Sequence, residues 1–182
     1  MRHRLIALLV VALLSGVGAA TSARGSKPGA AAVRAPRIPA LPRKDVTAAN
    51  LCPIPAAFRQ AFVRAARDTG FQLSMLVAVA EEESRFQPDA RSSADARGLL
   101  QVMPTTAASL NLNVDDPASN ILAGARYLKL LLDRYQSTDA ALAAYNAGPT
   151  AVDRAGGVAP SVMTLTYVAN VQARWRALAG CR

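Results

Sequence analysis

The stretch "LSMLVAVAEEESRF", residues 73–86, leads from an apolar run directly into three glutamates. Its apolar residues fall on one side of a wheel with about 3.6 residues per turn, which predicts an amphipathic helix. With Leu76 at 0° and about 100° per residue, the apolar arc is centred near Leu76, and Ser74 lies on the polar side. The stretch therefore predicts a helix over about residues 73–86 with one face in a core.

The three glutamates point in different directions on this wheel. Glu83 lies at about 340°, inside the apolar arc, whereas Glu81 at about 140° is on the polar side and Glu82 at about 240° is at the edge. A carboxyl group that faces a core is costly to ionise, so its pKa rises toward the range that a general acid needs. We interpret Glu83 as a candidate acid, although an ion pair with an inward arginine or a rotated helix would also account for its position. Glu81 and Glu82 are interpreted as solvated or capping charges.

The segments after residue 50 follow the helical period, and none has the alternation of a half-buried strand. The sequence therefore predicts an all-α fold, with a single globular domain over residues 50–182. Proline and small polar residues mark the helix starts, and glycines mark the ends. The predicted helices span about 55–70, 73–86 and 116–135, a shorter segment that ends at Gly148 and Pro149, and 161–179.

The first residues, "MRHRLIALLVVALLSGVGAATSA", are typical of a secretory signal peptide. A basic start precedes an apolar run over residues 5–14, and small residues follow where a signal peptidase cuts, after Ala20 or Ala23. An uncleaved membrane anchor is the alternative, but the run is shorter than the roughly 20 apolar residues that a spanning helix needs. Residues 1–23 are therefore predicted to be a signal peptide, which implies a protein that is periplasmic or secreted.

Residues 24–49 are rich in proline, alanine and arginine, and they predict an extended linker. The net charge of +9 is concentrated at this end, since residues 1–49 carry a balance of +7 and residues 50–182 only +2. The predicted domain is therefore nearly neutral, and we expect no nucleic-acid partner. The linker is either a solvated spacer or a contact with an anionic cell envelope.

The two cysteines, Cys52 and Cys181, stand at opposite ends of the predicted domain. An even cysteine count in a secreted chain is typical of a disulfide, and two separate thiols are the alternative.

Few other residue types in the mature chain fit a catalytic site. The single histidine, His3, belongs to the predicted signal peptide, which excludes a Ser-His-Asp triad, a Cys-His pair and a histidine metal site after cleavage. No glycine-rich phosphate loop is present in the sequence. We therefore expect acid/base chemistry by carboxylates, without a metal or a cofactor.

Three strings in fixed order, "ESRF" at 83–86, "GLLQVMP" at 98–104 and "AYNAGP" at 144–149, resemble those of the SLT-type lytic transglycosylases. The resemblance covers roughly residues 53–172, and "NILAGARYL" at 120–128 fits it as well. It implies a lysozyme-like α fold. It also implies cleavage of the β-1,4 bond between N-acetylmuramic acid and N-acetylglucosamine in peptidoglycan.

The resemblance also implies roles for individual residues. The catalytic acid falls on Glu83, the residue that the wheel selects independently. For two of the groove residues there are alternatives: Tyr145 as a core tyrosine with a satisfied hydroxyl, and Asn146 as a cap of the turn before Gly148. The residues implied to line the substrate groove are Ser92, Gln101, Tyr145, Asn146 and Tyr167.

One position departs from the family pattern, since Asp95 stands where a glycine is usual. Aspartate tolerates the left-handed backbone region better than most residues do. Asp95 is also the candidate for a second acid.

The resemblance implies a mechanism with a single acid. Glu83 protonates the leaving oxygen and then deprotonates the sugar's 6-hydroxyl, which closes a 1,6-anhydro ring without water. A hydrolytic muramidase on the same fold is one alternative, and it would need a second acid such as Asp95. The other is a non-catalytic glycan-binding subunit of a secretion or pilus apparatus. We expect a monomer that acts on glycan strands, with secretion, conjugation or pilus machinery as the further partner class.

Overall fold

The computed structural model describes residues 51–182, so the predicted signal peptide (1–23) and linker (24–49) lie outside the described residues. The regular structure of the described range is helical, apart from two isolated bridges that link Arg91, Arg97 and Val102. The prediction of an all-α fold is confirmed. The helices are α1 (Ala56–Thr69), α2 (Leu73–Ser84), α3 (Pro104–Ser109), α4 (Pro117–Tyr135), α5 (Thr138–Ala147), α6 (Pro149–Arg154) and α7 (Val162–Ala177).

Several helix ends lie where the capping residues predicted them. The Asp116 side chain accepts a hydrogen bond from the backbone N–H of Ser119 at 2.7 Å, and Pro117 occupies the first turn of α4. Ser161 caps α7 in the same way through the N–H of Thr164. These side chains stabilise helix starts because the first N–H groups of a helix lack partners within it.

Other ends differ from the prediction. Helix α2 ends at Ser84, two residues early, because Arg85 and Phe86 have φ angles of 52° and 62° and cannot continue a right-handed helix. The short helices α3 and α6 were not predicted. Pro149 was predicted to end a helix. It is also the first residue of α6, since proline fits the first turn of a helix.

Helix α2 is buried on all sides over residues 74–80. Ser74, expected on the polar side, is only 3% exposed, so the predicted polar side was wrong for this part of the helix. The reason is packing, because α1 and α7 both lie against α2. Helix α4 packs on α1 and α5, and α5 packs on α7, which closes the helices around α2.

The predicted disulfide between Cys52 and Cys181 is present, with a Cα–Cα distance of 4.8 Å. Beside it the N–H of Cys52 donates to the carbonyl of Arg182 at 3.1 Å. The two ends of the described chain are thus joined covalently. Within residues 51–182, no helix has the length and apolar character required to cross a membrane.

Candidate active site

Glu83 lies in the last turn of α2 and is half-buried. Its Oε1 accepts a hydrogen bond of 2.7 Å from the hydroxyl of Tyr167, on the buried face of α7. These two residues are 84 positions apart in the chain. The α2–α7 contact therefore joins the predicted acid to one of the predicted groove residues.

The surroundings of Glu83 favour its protonated form. Burial raises the pKa of this carboxyl from its ordinary value near 4.5 to about 7, the hydrogen bond from Tyr167 acts in the opposite direction, and the charge of Glu82 raises the pKa further. The position at the C-terminal end of α2 acts in the same direction as burial, because the negative end of a helix dipole disfavours an anion. A carboxyl group with a pKa near the working pH can both donate and accept a proton.

The other two glutamates also contact α7. Glu81 accepts a hydrogen bond of 2.5 Å from Nε of Arg174, and the exposed Glu82 accepts one of 2.9 Å from Nδ2 of Asn170. Glu82 is exposed, as the wheel predicted, whereas Glu81 is half-buried like Glu83, so the predicted polar side was wrong for Glu81. The helical wheel gave no indication that Glu81 and Glu82 bind side chains of α7.

The loop after α2 is held by a buried asparagine, Asn120, which is 1% exposed at the start of α4. Its Oδ1 accepts from the N–H of Leu100 at 2.9 Å, and its Nδ2 donates to the carbonyls of Arg97 and Val114 at 2.8 and 3.0 Å. Gly98 lies so close that a Cβ there would be 2.6 Å from the Asn120 amide. This loop therefore requires glycine at position 98.

Tyr145, on α5, binds the same loop. Its hydroxyl donates to the carbonyl of Leu100 at 2.7 Å, and its ring packs on Tyr127 with centroids 5.5 Å apart. Gly124 of α4 permits this approach, since a Cβ there would lie 2.6 Å from Leu100 and 2.8 Å from the Tyr145 hydroxyl. Tyr145 therefore matches the alternative of a tyrosine whose hydroxyl is hydrogen-bonded. It also lies near Glu83, since the charge of Glu83 contributes to the raised pKa of Tyr145.

Ser84 adds a third support from α2. Its hydroxyl donates to the carbonyl of Leu99 at 2.8 Å. Ser84 directly follows Glu83 in the chain. Asn120, Gly124 and Ser84 were not assigned roles from the sequence. The available signals were the string at 120–128 and the Ser in "ESRF", which mark the segments but not the contacts that the side chains make.

Gln101 and Ser92 shape the loop between α2 and α3. Gln101 has a φ of 44°, and its Nε2 donates to the carbonyls of Ala90 and Gly98 at 3.1 and 3.0 Å. The exposed Ser92 accepts from the N–H groups of Ala94 and Ala96 at 3.2 and 3.0 Å. Both side chains bind the backbone of their own loop, and neither contacts Glu83 among the described residues.

Asp95 has a φ of 67°, in the left-handed region that glycine usually occupies. Its carboxylate accepts two hydrogen bonds of 3.0 Å from Arg97, and this interaction lowers its pKa. The departure from the family glycine is thus accommodated: aspartate adopts the same backbone conformation and gains an ion pair. The charge of Asp95 is not among those that act on Glu83.

Asn146 is exposed in the last turn of α5. Its side chain has no hydrogen-bond partner within residues 51–182, and the N–H of Gly148 instead donates to the carbonyl of Ala144 at 2.9 Å. The alternative of a capping asparagine is therefore wrong.

Comparison with known proteins identifies a family. The family model described as "Transglycosylase SLT domain" matches residues 60–165. A transglycosylase of Enterobacteria phage PRD1 is 43% identical over 75 residues, which cover 41% of this chain and 28% of the phage protein. A membrane-bound lytic murein transglycosylase F 2 of Alkalilimnicola ehrlichii is 35% identical over 102 residues, covering 50% of this chain and 22% of the relative.

Solved structures show the same fold. An inactive mutant of the lytic transglycosylase Slt of Pseudomonas aeruginosa superimposes with a TM-score of 0.58 at 30% identity, over 70% of this chain and 25% of that one. The 70 kDa soluble lytic transglycosylase of Escherichia coli matches with a TM-score of 0.58 at 29% identity, over the same shares of the two chains. The lysozyme-like, SLT-type fold is thus confirmed, while the chain spans less than a third of the length of these relatives.

The family model covers more than half of the chain and includes the three strings around Glu83, Gln101 and Tyr145. This protein therefore belongs to the SLT transglycosylase domain family.

Proposed function

We propose that this protein is a lytic transglycosylase that cleaves the β-1,4 bond between N-acetylmuramic acid and N-acetylglucosamine in peptidoglycan. The observation that carries the proposal is the half-buried Glu83, with a pKa raised to about 7 and a hydrogen bond from Tyr167. Family membership supports the same activity.

In the first step, protonated Glu83 donates its proton to the glycosidic oxygen, and the bond from that oxygen to C1 of the muramic acid breaks. The electron pair of the bond leaves with the oxygen, and the substrate's own N-acetyl oxygen stabilises the positive charge at C1. In the second step, the Glu83 carboxylate takes the proton of the sugar's 6-hydroxyl. The oxygen of that hydroxyl bonds to C1. The product is a 1,6-anhydro ring, and Glu83 is protonated again.

This mechanism needs one carboxyl group that serves in both protonation states, and a pKa near 7 gives Glu83 both at neutral pH. A hydrolase would instead need a second carboxylate to activate water. Asp95, the candidate for that role, is bound by Arg97 and by Arg91, with its pKa lowered. A carboxylate bound in this way is a weak base, so the single-acid mechanism is the better fit.

The groove residues divide into three proposed roles. Gln101 uses its Nε2 within the loop, and Asn146 has no partner within residues 51–182, so we assign the Gln101 Oε1 and the Asn146 amide to direct contact with the glycan. Ser92 and Tyr145 bind loop backbone, which suits them to shaping the groove. Tyr167 orients Glu83.

The decisive experiment is product analysis. Peptidoglycan digested with the protein is expected to release fragments with 1,6-anhydromuramyl ends, which are one water lighter by mass spectrometry than the reducing ends left by hydrolysis. Glu83→Gln keeps the shape of the side chain but removes the titrating proton, so turnover is expected to fall by at least the 10²–10⁴-fold typical of a lost general acid. Glu81→Gln is the matched control, and it is expected to remain active.

Reducing ends would establish the hydrolytic muramidase. Glycan binding without release of fragments by a folded protein would establish the non-catalytic subunit.

The proposed arrangement around the domain is a signal peptide at 1–23, a linker at 24–49 and the catalytic domain at 50–182. It implies a periplasmic or secreted protein that opens the wall locally for secretion, conjugation or pilus machinery. A protein that begins at Asn50 is expected to fold and to cut isolated glycan at the rate of the longer form, because residues 51–182 contain the site. A loss of activity confined to low salt would instead indicate electrostatic tethering by the linker.

A further inference from the structure

The three glutamates of α2 pair in order with one face of α7. Residues 167, 170 and 174 are three and four positions apart, so they share one face of a helix. The residue numbers fall along α2 from 83 to 81 while those of the partners rise along α7 from 167 to 174. The two helices therefore run in opposite directions along this contact. The pairs are Glu83 with Tyr167 at 2.7 Å, Glu82 with Asn170 at 2.9 Å and Glu81 with Arg174 at 2.5 Å.

The partners differ in charge. Arg174 offsets the negative charge of Glu81, whereas the amide of Asn170 is neutral and leaves the charge of Glu82 uncompensated. The Asn170 bond also prevents the Glu82 side chain from turning freely into solvent. A negative charge is thereby held one residue from Glu83 at the α2–α7 contact.

Two tyrosines lie near Glu83 from the helices packed around it. Tyr167 of α7 and Tyr145 of α5 both have raised pKa values, so both are neutral around pH 7. Arg174 of α7 is bound to Glu81, and Glu82 of α2 is the charged neighbour that acts on the Glu83 carboxyl. Arg85 and Arg174 line the same surface pocket as Glu82 and are the nearby cations. The negative charge that favours the protonated form of Glu83 comes from Glu82.

We propose that Glu82 is a positioning residue for the acid: Asn170 holds its carboxylate beside Glu83, where its negative charge favours the protonated form of Glu83. The role of Glu83 as the acid rests on the function proposed above. The effect of Glu82 on the Glu83 proton does not, so the two can be tested separately.

The composition of the chain makes this effect directly measurable. The sequence contains three glutamates, all in this string, so labelling glutamate with ¹³C at Cδ gives three carboxyl signals. In Glu82→Gln the amide oxygen can still accept the Asn170 bond, but the charge is gone. The titration midpoint of Glu83 is expected to fall by between about 0.4 and 1.7 pH units, the effect of one charge at about 7 Å for effective dielectric constants of roughly 80 to 20.

Two further variants complete the test. Glu82→Asp keeps the charge and is expected to leave the midpoint of Glu83 closer to that of the unchanged protein than Glu82→Gln does. Asn170→Ala keeps the charge but releases it to solvent, so the midpoint is expected to fall by less than in Glu82→Gln. Asp133→Asn, which removes an exposed charge paired with Lys129 on α4, is the control for net charge and is expected to have no effect.

Activity on peptidoglycan provides a second readout. The high-pH limb of the kcat/KM profile is expected to shift to lower pH by the same number of units in Glu82→Gln. The value of kcat/KM at pH 8 therefore falls by about 2.5- to 50-fold. At pH 5 kcat/KM is expected to fall by less than about 1.5-fold, because Glu83 is still mostly protonated in both proteins. A purely structural role would lower the rate equally at both pH values.

The proposal is overturned if the Glu83 midpoint in Glu82→Gln and in Asn170→Ala stays within 0.2 units of that in the unchanged protein. An equal shift in Asp133→Asn would also overturn it, since the effect would then come from net charge. If the unchanged protein does not cut peptidoglycan, the proposed function fails, while the NMR titration still decides the role of Glu82.

Discussion

At the scale of single residues, the carboxyl of Glu83 is subject to opposing effects. Removal from water disfavours its charge, and the Tyr167 hydroxyl favours it; burial is the larger effect. Ionising Glu83 therefore costs more free energy in the native state than in the unfolded chain. That cost makes the stability of the protein depend on pH.

We expect Glu83→Gln to stabilise the protein above pH 7. The pKa of Glu83 is raised to about 7 in the folded state from about 4.5, so the native state binds more protons between these values and stability falls as pH rises through this window. Glutamine does not titrate and avoids this loss. Urea unfolding at pH 8 is expected to show a gain of roughly 1–3 kcal/mol over the unchanged protein.

At pH 4 the same comparison is expected to show no gain from this source, because Glu83 is then protonated in both states. An equal gain at pH 4 and pH 8 would mean that the buried environment of Glu83 has been misassigned.

At the scale of elements, the loop after α2 is held by three helices. Ser84 of α2 binds the carbonyl of Leu99, Asn120 of α4 binds the N–H of Leu100, and Tyr145 of α5 binds its carbonyl. Since the loop has little regular structure of its own, these side chains determine its path past Glu83. Its shape is thus a property of the helix packing.

Asn120→Ala is expected to cost about 2–4 kcal/mol of unfolding free energy, because it leaves the buried N–H of Leu100 and the carbonyl of Val114 without partners. It also removes one of the two hydrogen bonds to the carbonyl of Arg97, which keeps the bond from the N–H of Val102. Chemical denaturation measures this cost. Asn146→Ala, at an exposed position, is the control and is expected to change stability by less than about 0.5 kcal/mol. Equal effects of the two substitutions would contradict the role given to Asn120.

At the scale of the whole molecule, the Cys52–Cys181 disulfide closes a loop of 129 residues. A cross-link across so much chain restricts the unfolded state strongly. Because Cys181 follows α7 and Cys52 precedes α1, the link also holds the end of α7, the helix that carries Tyr167.

Reduction of this disulfide is expected to lower the unfolding free energy by about 5 kcal/mol in the chain-entropy model. A melting curve with and without reductant measures the loss, and Cys52→Ala combined with Cys181→Ala separates it from effects of the reductant. Below the melting temperature of the reduced protein, peptidoglycan cleavage is expected to continue, since the hydrogen bond to Glu83 comes from Tyr167 and not from the cysteines. Two titratable thiols in the denatured, unreduced protein would show that the bond does not form.

The features that could be read from the sequence are local or carried by short strings. Asp116 and Ser161 predicted helix starts because a cap depends on residues three positions away. The helical wheel placed Glu83 toward the interior and Glu82 at its edge because the direction of a side chain on one helix follows from the helical period. The strings at 83–86, 98–104 and 144–149 indicated the family, and the cysteine pair indicated the disulfide.

The tertiary structure decided which distant residues meet. The contact of Tyr167 with Glu83 joins residues 84 apart, and that of Tyr145 with Leu100 joins residues 45 apart. The burial of Ser74 likewise depends on α1 and α7 closing over α2. A helical period specifies which face of a helix is apolar but not which helix covers it, so the partners of Glu83, Glu82 and Tyr145 follow only from the packing of the helices against one another.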